Sequence, residues 1–372
     1  MNRYQNIRPF IVMDIVREAA KFDDSIHFEI GQPDLPPSPA VRQALQEAVA
    51  ENRFSYTESR GLPALREQIR ANYARHYGVE VAPERILLTP GTSGAFLIAY
   101  GLTLPPNGTL GLTDPSYPCY ENFATFLNAR TKLFPVGPEE TYQLRAEQIR
   151  GSGIDALQIS SPANPTGNIY TPERIEELIA ACRAESIAYI SDELYHGLVY
   201  GQRAASALQF SDAAYVINGF SKYYCMPGQR LGWIIVPEDK VRPAEILAEN
   251  LFISAPTLSQ YGALKAFDEQ YLDETRREFE RRRDFLYGEL STLFTVEFKP
   301  QGAFYLWADI SRYSTDSYAF ALEMLEKTHV AATPGIDFGT NGTNHYLRFA
   351  YTRDIAHMAE GVRRMREWLR GR

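Results

Sequence analysis

A chain of 372 residues exceeds what one small core organises and predicts two or three domains at about 150 residues each. Its 45% hydrophobic and 23% charged residues fit an ordinary globular enzyme, and a net charge of −8 excludes nucleic acid as a bulk partner, because phosphate backbones are held by lysine and arginine excess. No apolar run reaches the roughly 20 residues of a membrane span and no basic-then-apolar leader is present, so the expectation is a cytoplasmic protein with no membrane partner. Cys119, Cys182 and Cys225 lack CxxC spacing, and their odd number fits reduced thiols. The six histidines show no metal-ligand spacing, so no metal is expected.

Near the N-terminus, residues 9–20 place Ile11, Ile15 and Ala19 on one helical face, and a short strand-like HFEI at 27–30 runs into the proline-rich GQPDLPPSP. Ser38-Pro39 has the chemistry of a helix start, with Val41, Leu45 and Val49 apolar behind it. A polar loop at 53–62 leads to a second helix from Pro63, for which Gly78 is the stop. From residue 85 short apolar runs alternate with helical stretches: RILLT, TLGLT, ALQIS, IAYIS, AAYVIN and LGWIIV. That alternation predicts a mostly parallel sheet covered by helices on both faces. Charge-rich 269–293 reads as a long amphipathic helix, followed by strands at 303–309 and 346–351 and helices at 316–328 and 354–369.

In an open α/β sheet the ligand lies beyond the carboxyl ends of the strands, so the residues just past each run matter most. After RILLT comes PGTSGAF, a small-residue turn that aims backbone amides and a helix N-terminus at an anion. Then come an aromatic face at Tyr117, an amide at Asn164 between two prolines, a carboxylate at Asp192 with a phenol at Tyr195, and a lysine at Lys222. Eight residues past that lysine, Arg230 supplies a bidentate anion clamp. Any one of these has a bland reading as a turn or cap. Together they are the parts needed to hold a flat, phosphorylated heterocycle that carries an aldehyde.

SYTESRGLPALRE (55–67), TPGTSGAF (89–96), DPSYPCY (114–120), SPANPTG (161–167), SDELYHGLVY (191–200), NGFSKYYCMPGQRLGW (218–233) and the arginine of YLRFAY resemble, in order and spacing, the class I/II aminotransferases. The resemblance implies a fold type I pyridoxal 5'-phosphate enzyme, an α/β fold with a mixed, mostly parallel seven-stranded sheet in a large domain and a smaller α+β domain. It implies a homodimer that transfers an amino group from an L-amino acid to a 2-oxo acid. On this reading residues 1–44 are an N-terminal segment of the small domain, 45–270 the large cofactor domain and 271–372 the rest of the small domain.

Carried over residue by residue, the resemblance makes Lys222 the base of the internal aldimine and the carrier of the proton between substrate and cofactor. Asp192 would pair with the protonated ring nitrogen, Asn164 and Tyr195 would hydrogen-bond the ring oxygen, and Tyr117 would stack on the ring. Gly91, Thr92, Ser93, Ser221 and Arg230 would hold the phosphate, and Tyr56 would reach the phosphate of the neighbouring subunit. Arg348 would grip the substrate carboxylate, with Gly31 and Asn164 alongside. Gly219 stands where some members of the family carry a phosphate-binding serine.

The same constellation serves carbon–sulfur β-lyases of this fold, and related domains act as non-catalytic ligand sensors in DNA-binding regulators. SPANPTG with Thr166 points to the transaminating branch, and the stretch before GQPD shows no basic excess of the kind a DNA-binding domain needs. The turn after Gly91 offers Thr92 and Ser93 rather than a cation for a second carboxylate, which points to neutral substrates.

Overall fold

The computed structural model describes residues 3–371. Its central sheet has seven strands: β1 (Ile86–Pro90), β2 (Thr109–Asp114), β3 (Arg130–Pro135), β4 (Ala156–Ser160), β5 (Ala188–Asp192), β6 (Tyr215–Gly219) and β7 (Leu231–Ile235). Their spatial order is β1-β7-β6-β5-β4-β2-β3. Strand β7 is antiparallel to both neighbours, whereas the β6-β5-β4-β2-β3 pairs are all parallel. As a result the start of β7, not its end, lies at the edge where the other strands finish.

Successive side chains point to opposite faces of a strand, and here both faces are covered. Leu87, Ile190, Ile217 and Ile234 pack with the helix Gly91–Thr103 on one side. Leu88, Leu157, Val216 and Trp233 pack with Leu65, Ile69 and Ile175 on the other. The six apolar runs all become strands. The seventh, β3, escapes that reading because it is an edge strand in which only Phe134 is buried, with Arg130 and Lys132 turned out. Charged side chains of this kind protect an edge from pairing with another chain.

Helix starts and stops follow the local chemistry. Ser38 caps the helix Pro39–Ala50 by accepting from the Val41 amide at 3.3 Å, and Thr171 caps Pro172–Ala184 in the same way. Gly78 ends Pro63–Tyr77 in the left-handed region, at φ +68.

A second core lies around a three-stranded antiparallel sheet of β8 (Tyr305–Asp309), β9 (Thr333–Pro334) and β10 (Tyr346–Ala350), with β10 in the centre. The chain's beginning joins this core: Ile15, Ala19 and Phe28 pack with Phe279, Leu306, Phe349 and Met358. The strand expected at 27–30 shortens to Ile26–His27, paired in parallel with Val330–Ala331. The helix Pro39–Ala50 instead sets Val41 into the core of the central sheet. Val49, expected on its apolar stripe, is half exposed. Residues 1, 2 and 372 lie outside the described residues.

Candidate active site

A cavity of about 390 Å³ sits beyond the strand ends, between the two cores. Gly31, Thr92, Ser93, Tyr117, Asn164, Asp192, Tyr195, Ser221, Lys222, Arg230 and Arg348 all line it. Residues 317 positions apart in sequence thus meet because the ends of the chain share one core and the strand ends belong to the other. Gly91 stands behind the wall, and Tyr56 stands outside the cavity with 75% of its surface exposed.

One end of the cavity is built for an anion. The helix Gly91–Thr103 follows β1 directly, so its first amides have no partners within the helix. Gly91 has φ +67, which favours glycine, and a Cβ there would lie 2.7 Å from Arg230 Nη2, so the glycine lets the guanidinium come close without shifting. Arg230 precedes β7, whose reversal brings it to the strand-end edge; it is exposed, adopts a left-handed conformation at φ 48 and donates from Nη1 to the Pro227 carbonyl at 3.1 Å. A Cβ on Gly219 would stand 3.1 Å from the Thr92 methyl, so the glycine at this position suits the tight approach of β6 to the helix.

The floor carries a carboxylate and an amine. Asp192, at the end of β5, accepts from the Leu194 amide at 3.0 Å and from the Tyr120 hydroxyl. Burial pushes its carboxyl up to about 6, against the pull of those two hydrogen bonds. Lys222 follows β6 and donates from Nζ to the Gly31 carbonyl at 2.6 Å. Desolvation lowers its amine to about 8, and the positive charges of Arg348 and Arg230 push the same way while Asp192 opposes. An amine so placed is unprotonated near neutral pH far more often than an ordinary lysine, which is what a nucleophile for an aldehyde needs.

At the other end Arg348, on β10, is buried to 3% exposure. Its Nη1 donates to Asn164 Oδ1 at 2.9 Å, and its Nη2 to the Glu29 carbonyl at 2.7 Å and to Thr333 Oγ1 at 3.2 Å. These partners are all neutral, and Nε has none. The guanidinium carbon lies 4.4 Å from the centre of the Tyr305 ring and 4.8 Å from that of Phe338. Asn164 itself is fixed by a cis peptide to Pro165.

Several side chains of the site were not singled out in the sequence. Tyr120 lies three residues past Tyr117 in DPSYPCY, so helical spacing from Tyr117 was a usable signal for it. Tyr305, whose hydroxyl is 2.8 Å from that of Tyr195, carried no local signal beyond its place in an apolar strand. Phe10, Val12 and Val16 form an outer wall, held there by Asp337, which accepts from the amides of Ile11 at 3.0 Å and Val12 at 3.2 Å.

The donor set fits pyridoxal phosphate. A buried carboxylate with a raised pKa calls for a cation such as a protonated ring nitrogen, a depressed lysine amine suits an aldehyde, and the paired helix terminus and arginine suit a phosphate. No three His, Cys, Asp or Glu side chains among the described residues are grouped to hold a metal. None of the described helices is long and apolar enough to cross a membrane.

Sheet order, strand-end cavity and donor set together define a fold type I pyridoxal-phosphate enzyme. The family model for aminotransferase class I and II matches residues 23–365, and the chain belongs to that family of pyridoxal-phosphate-dependent aminotransferases. It is 35% identical over 375 residues to the valine–pyruvate aminotransferase of Mycobacterium tuberculosis, covering 98% of this chain and 97% of the relative. It is 36% identical over 379 residues to the (5-formylfuran-3-yl)methyl phosphate transaminase of Methanocaldococcus jannaschii, covering 99% and 98%. Among solved structures, an aminotransferase from Mycobacterium tuberculosis superposes with a TM-score of 0.96 at 34% identity, covering 100% of this chain and 99% of that one. The aspartate aminotransferase of Thermus thermophilus with maleate superposes at 0.91 with 26% identity, covering 97% of each chain.

Proposed function

We propose that this cavity holds pyridoxal phosphate and exchanges an amino group between an L-amino acid and a 2-oxo acid, with Lys222 as the attachment point. Bound there, the cofactor supplies a reactive aldehyde carbon and an electron-withdrawing ring. The chain's residues do the rest. Arg230 and the amides at Thr92 and Ser93 would hold the phosphate, with Gly91 giving room and Ser221 beside Lys222. Asp192, held by Tyr120, would favour a proton on the ring nitrogen. Tyr117 would cover the ring, while Asn164 and Tyr195 would hydrogen-bond its oxygen.

Arg348 takes the substrate carboxylate with its in-plane N–H groups, oriented by Asn164 and by the approach of Gly31. Lys222 Nζ, once free, carries the proton to and from the substrate α-carbon. The outer wall of Phe10, Val12 and Val16 favours an uncharged, apolar substrate side chain.

The same reading makes the enzyme a homodimer. Phe54, Tyr56, Leu251 and Ile253 are each more than half exposed and Val49 is 50% exposed, and the 53–57 loop is tied to the helix Thr257–Ala263 by Thr257 Oγ1 to the Ser55 carbonyl and Gln260 Nε2 to Thr57 Oγ1. An apolar patch of this kind suits a second copy, whose site Tyr56 would enter. Large and small domains divide near residues 44 and 270. Cys119, Cys182 and Cys225 are all free thiols, which supports a reducing, cytoplasmic setting.

The observation that carries the proposal is the half-buried Lys222 amine facing the same cavity as Asp192, with an arginine at either end. Borohydride reduction of the loaded protein followed by peptide mass spectrometry tests it: the cofactor mass is expected on the peptide carrying Lys222. Label on a different lysine, or on none, would overturn the assignment.

A further inference from the structure

Tyr305 is 1% exposed and lines the cavity, and it touches three residues that the proposed function gives three different tasks. Its hydroxyl lies 2.8 Å from that of Tyr195, with the two rings edge to face at 5.8 Å. Its ring face carries the Arg348 guanidinium at 4.4 Å. Its hydroxyl also occupies the space beside Gly31, where a Cβ would lie 2.1 Å from it, and the Gly31 carbonyl receives the Lys222 amine at 2.6 Å.

Strand register explains how one side chain reaches so far. In the β8–β10 pair Arg348 stands opposite Trp307 and Ala350 opposite Tyr305, so Arg348 and Tyr305 are diagonal neighbours on one face of the sheet. Phe338 closes the other side of the guanidinium at 4.8 Å, leaving it between two rings. A guanidinium held this way presents its N–H edge in a fixed plane, which is what bidentate binding of a carboxylate requires.

We propose that Tyr305 is a positioning residue for amino-group transfer: its ring sets the plane of Arg348, and its hydroxyl, which can donate or accept in the pair with Tyr195, turns donor when the Tyr195 proton is aimed at the cofactor edge. The inference rests on the function proposed above. Two separable parts of one side chain thereby serve the two halves of the site. The charged and titratable groups that face this pair are Arg348, Tyr117 and Lys222, with Asp192 and Arg230 facing Lys222 in turn.

Two variants separate the parts. Tyr305→Phe keeps the ring and loses the hydroxyl; Tyr305→Leu loses both. Binding of 3-methylbutanoate, a carboxylate with no amine to react, is read by calorimetry with and without cofactor. The pH midpoint of the visible band is read on the loaded protein. Tyr305→Phe is expected to bind the carboxylate like the wild type and to shift the midpoint upward by about half a pH unit, because Tyr195 loses its donor. Tyr305→Leu is expected to weaken the carboxylate about fivefold or more.

A wild-type midpoint in Tyr305→Phe overturns the hydroxyl's part, and wild-type carboxylate binding in Tyr305→Leu overturns the ring's part. Circular dichroism and thermal melting separate a lost contact from a lost fold, and Tyr305→Phe, which removes one oxygen, remains decisive if Tyr305→Leu does not fold. A wild-type protein that takes up no pyridoxal phosphate would sink the proposed function, while calorimetry with the carboxylate would still decide the pairing of Tyr305 with Arg348.

Discussion

The two arginines at the ends of the cavity are held by opposite means. Arg230 is exposed, sits in a strained left-handed turn before β7, and shares its task with the amides of a helix terminus. Arg348 is packed against two rings and hydrogen-bonded only to neutral oxygens, so no carboxylate is in direct contact with its N–H groups and the nearby Asp337 acts on it only at longer range. A site built this way can keep one ligand and exchange another. On the proposed function, the phosphate end would spread its grip over several groups, whereas the carboxylate end would concentrate it in one buried side chain.

The strongest consequence comes from that concentration. Arg348→Met should lower kcat/KM by about 10²- to 10⁴-fold, mainly through KM, because two charge-assisted hydrogen bonds worth roughly 1.5–3 kcal/mol each are lost. Cofactor affinity should be unchanged. Steady-state kinetics with a spectroscopic cofactor titration checks both, and weakened cofactor binding would break the contrast. Arg230→Met should do the reverse on a smaller scale. Cofactor affinity should fall by about tenfold to a hundredfold, since the helix amides remain, and KM at saturating cofactor should hold.

Lys222 lies between the two and feels both charges. Its amine loses its proton as pH rises through about 8, so the rate at which apo-protein captures pyridoxal phosphate should climb with pH and level off above that value. An ordinary lysine would still be climbing at about pH 10. In Arg348→Met the midpoint should move upward, because one positive neighbour that disfavours the ammonium is gone. Stopped-flow absorbance across pH 6–10 gives both midpoints; the same value in both proteins would show that the two ends of the cavity are electrostatically independent.

What the sequence made legible divides along the same line. The ends of the central strands could be read because each short apolar run is succeeded at once by its functional residue, so position in sequence nearly equals position in the site. Asn164, Asp192 and Lys222 belong to this group, whereas Arg230, which precedes its strand, was legible only by its spacing from Lys222. The surroundings of Arg348 could not be read this way. Tyr305, the Glu29 carbonyl and the 333–338 stretch that carries Thr333 and Phe338 are three separate segments, and only strand register and the return of the N-terminal chain bring them together. β3 was missed for a different reason: an edge strand with outward charges has no continuous apolar run to detect.

The contrast between a charge facing a ligand and a charge sealed in protein recurs one residue apart, at Asp192 and Glu193. Asp192 lines the cavity. Glu193 Oε1 accepts from Ser191 Oγ at 3.1 Å and from Ser206 Oγ and the Ala207 amide at 2.9 Å each, while Oε2 faces the Tyr73 hydroxyl and His196 Nδ1 at 3.5 Å. Burial raises both carboxyls, Asp192 from 3.8 to about 6 and Glu193 from 4.5 to about 7. A folded pKa above the unfolded one means that the folded state holds its proton more tightly. The stability each contributes is therefore complete below the unfolded pKa and is lost as pH rises through the folded one. Glu193→Gln cannot ionise, and its amide nitrogen can donate to Tyr73. Relative to the wild type it should gain roughly 3 kcal/mol between pH 4.5 and 7 and nothing further above that, with little change in turnover. Cofactor should leave this gain untouched. For Asp192→Asn the corresponding gain, between pH 3.8 and 6, should shrink on loading, because the ring nitrogen's proton compensates the Asp192 carboxylate and has no reach into the Glu193 pocket. Urea unfolding of apo and loaded protein at a series of pH values measures both differences, and a Glu193→Gln gain that vanished on loading would mean that the two carboxyls titrate as one group facing the site.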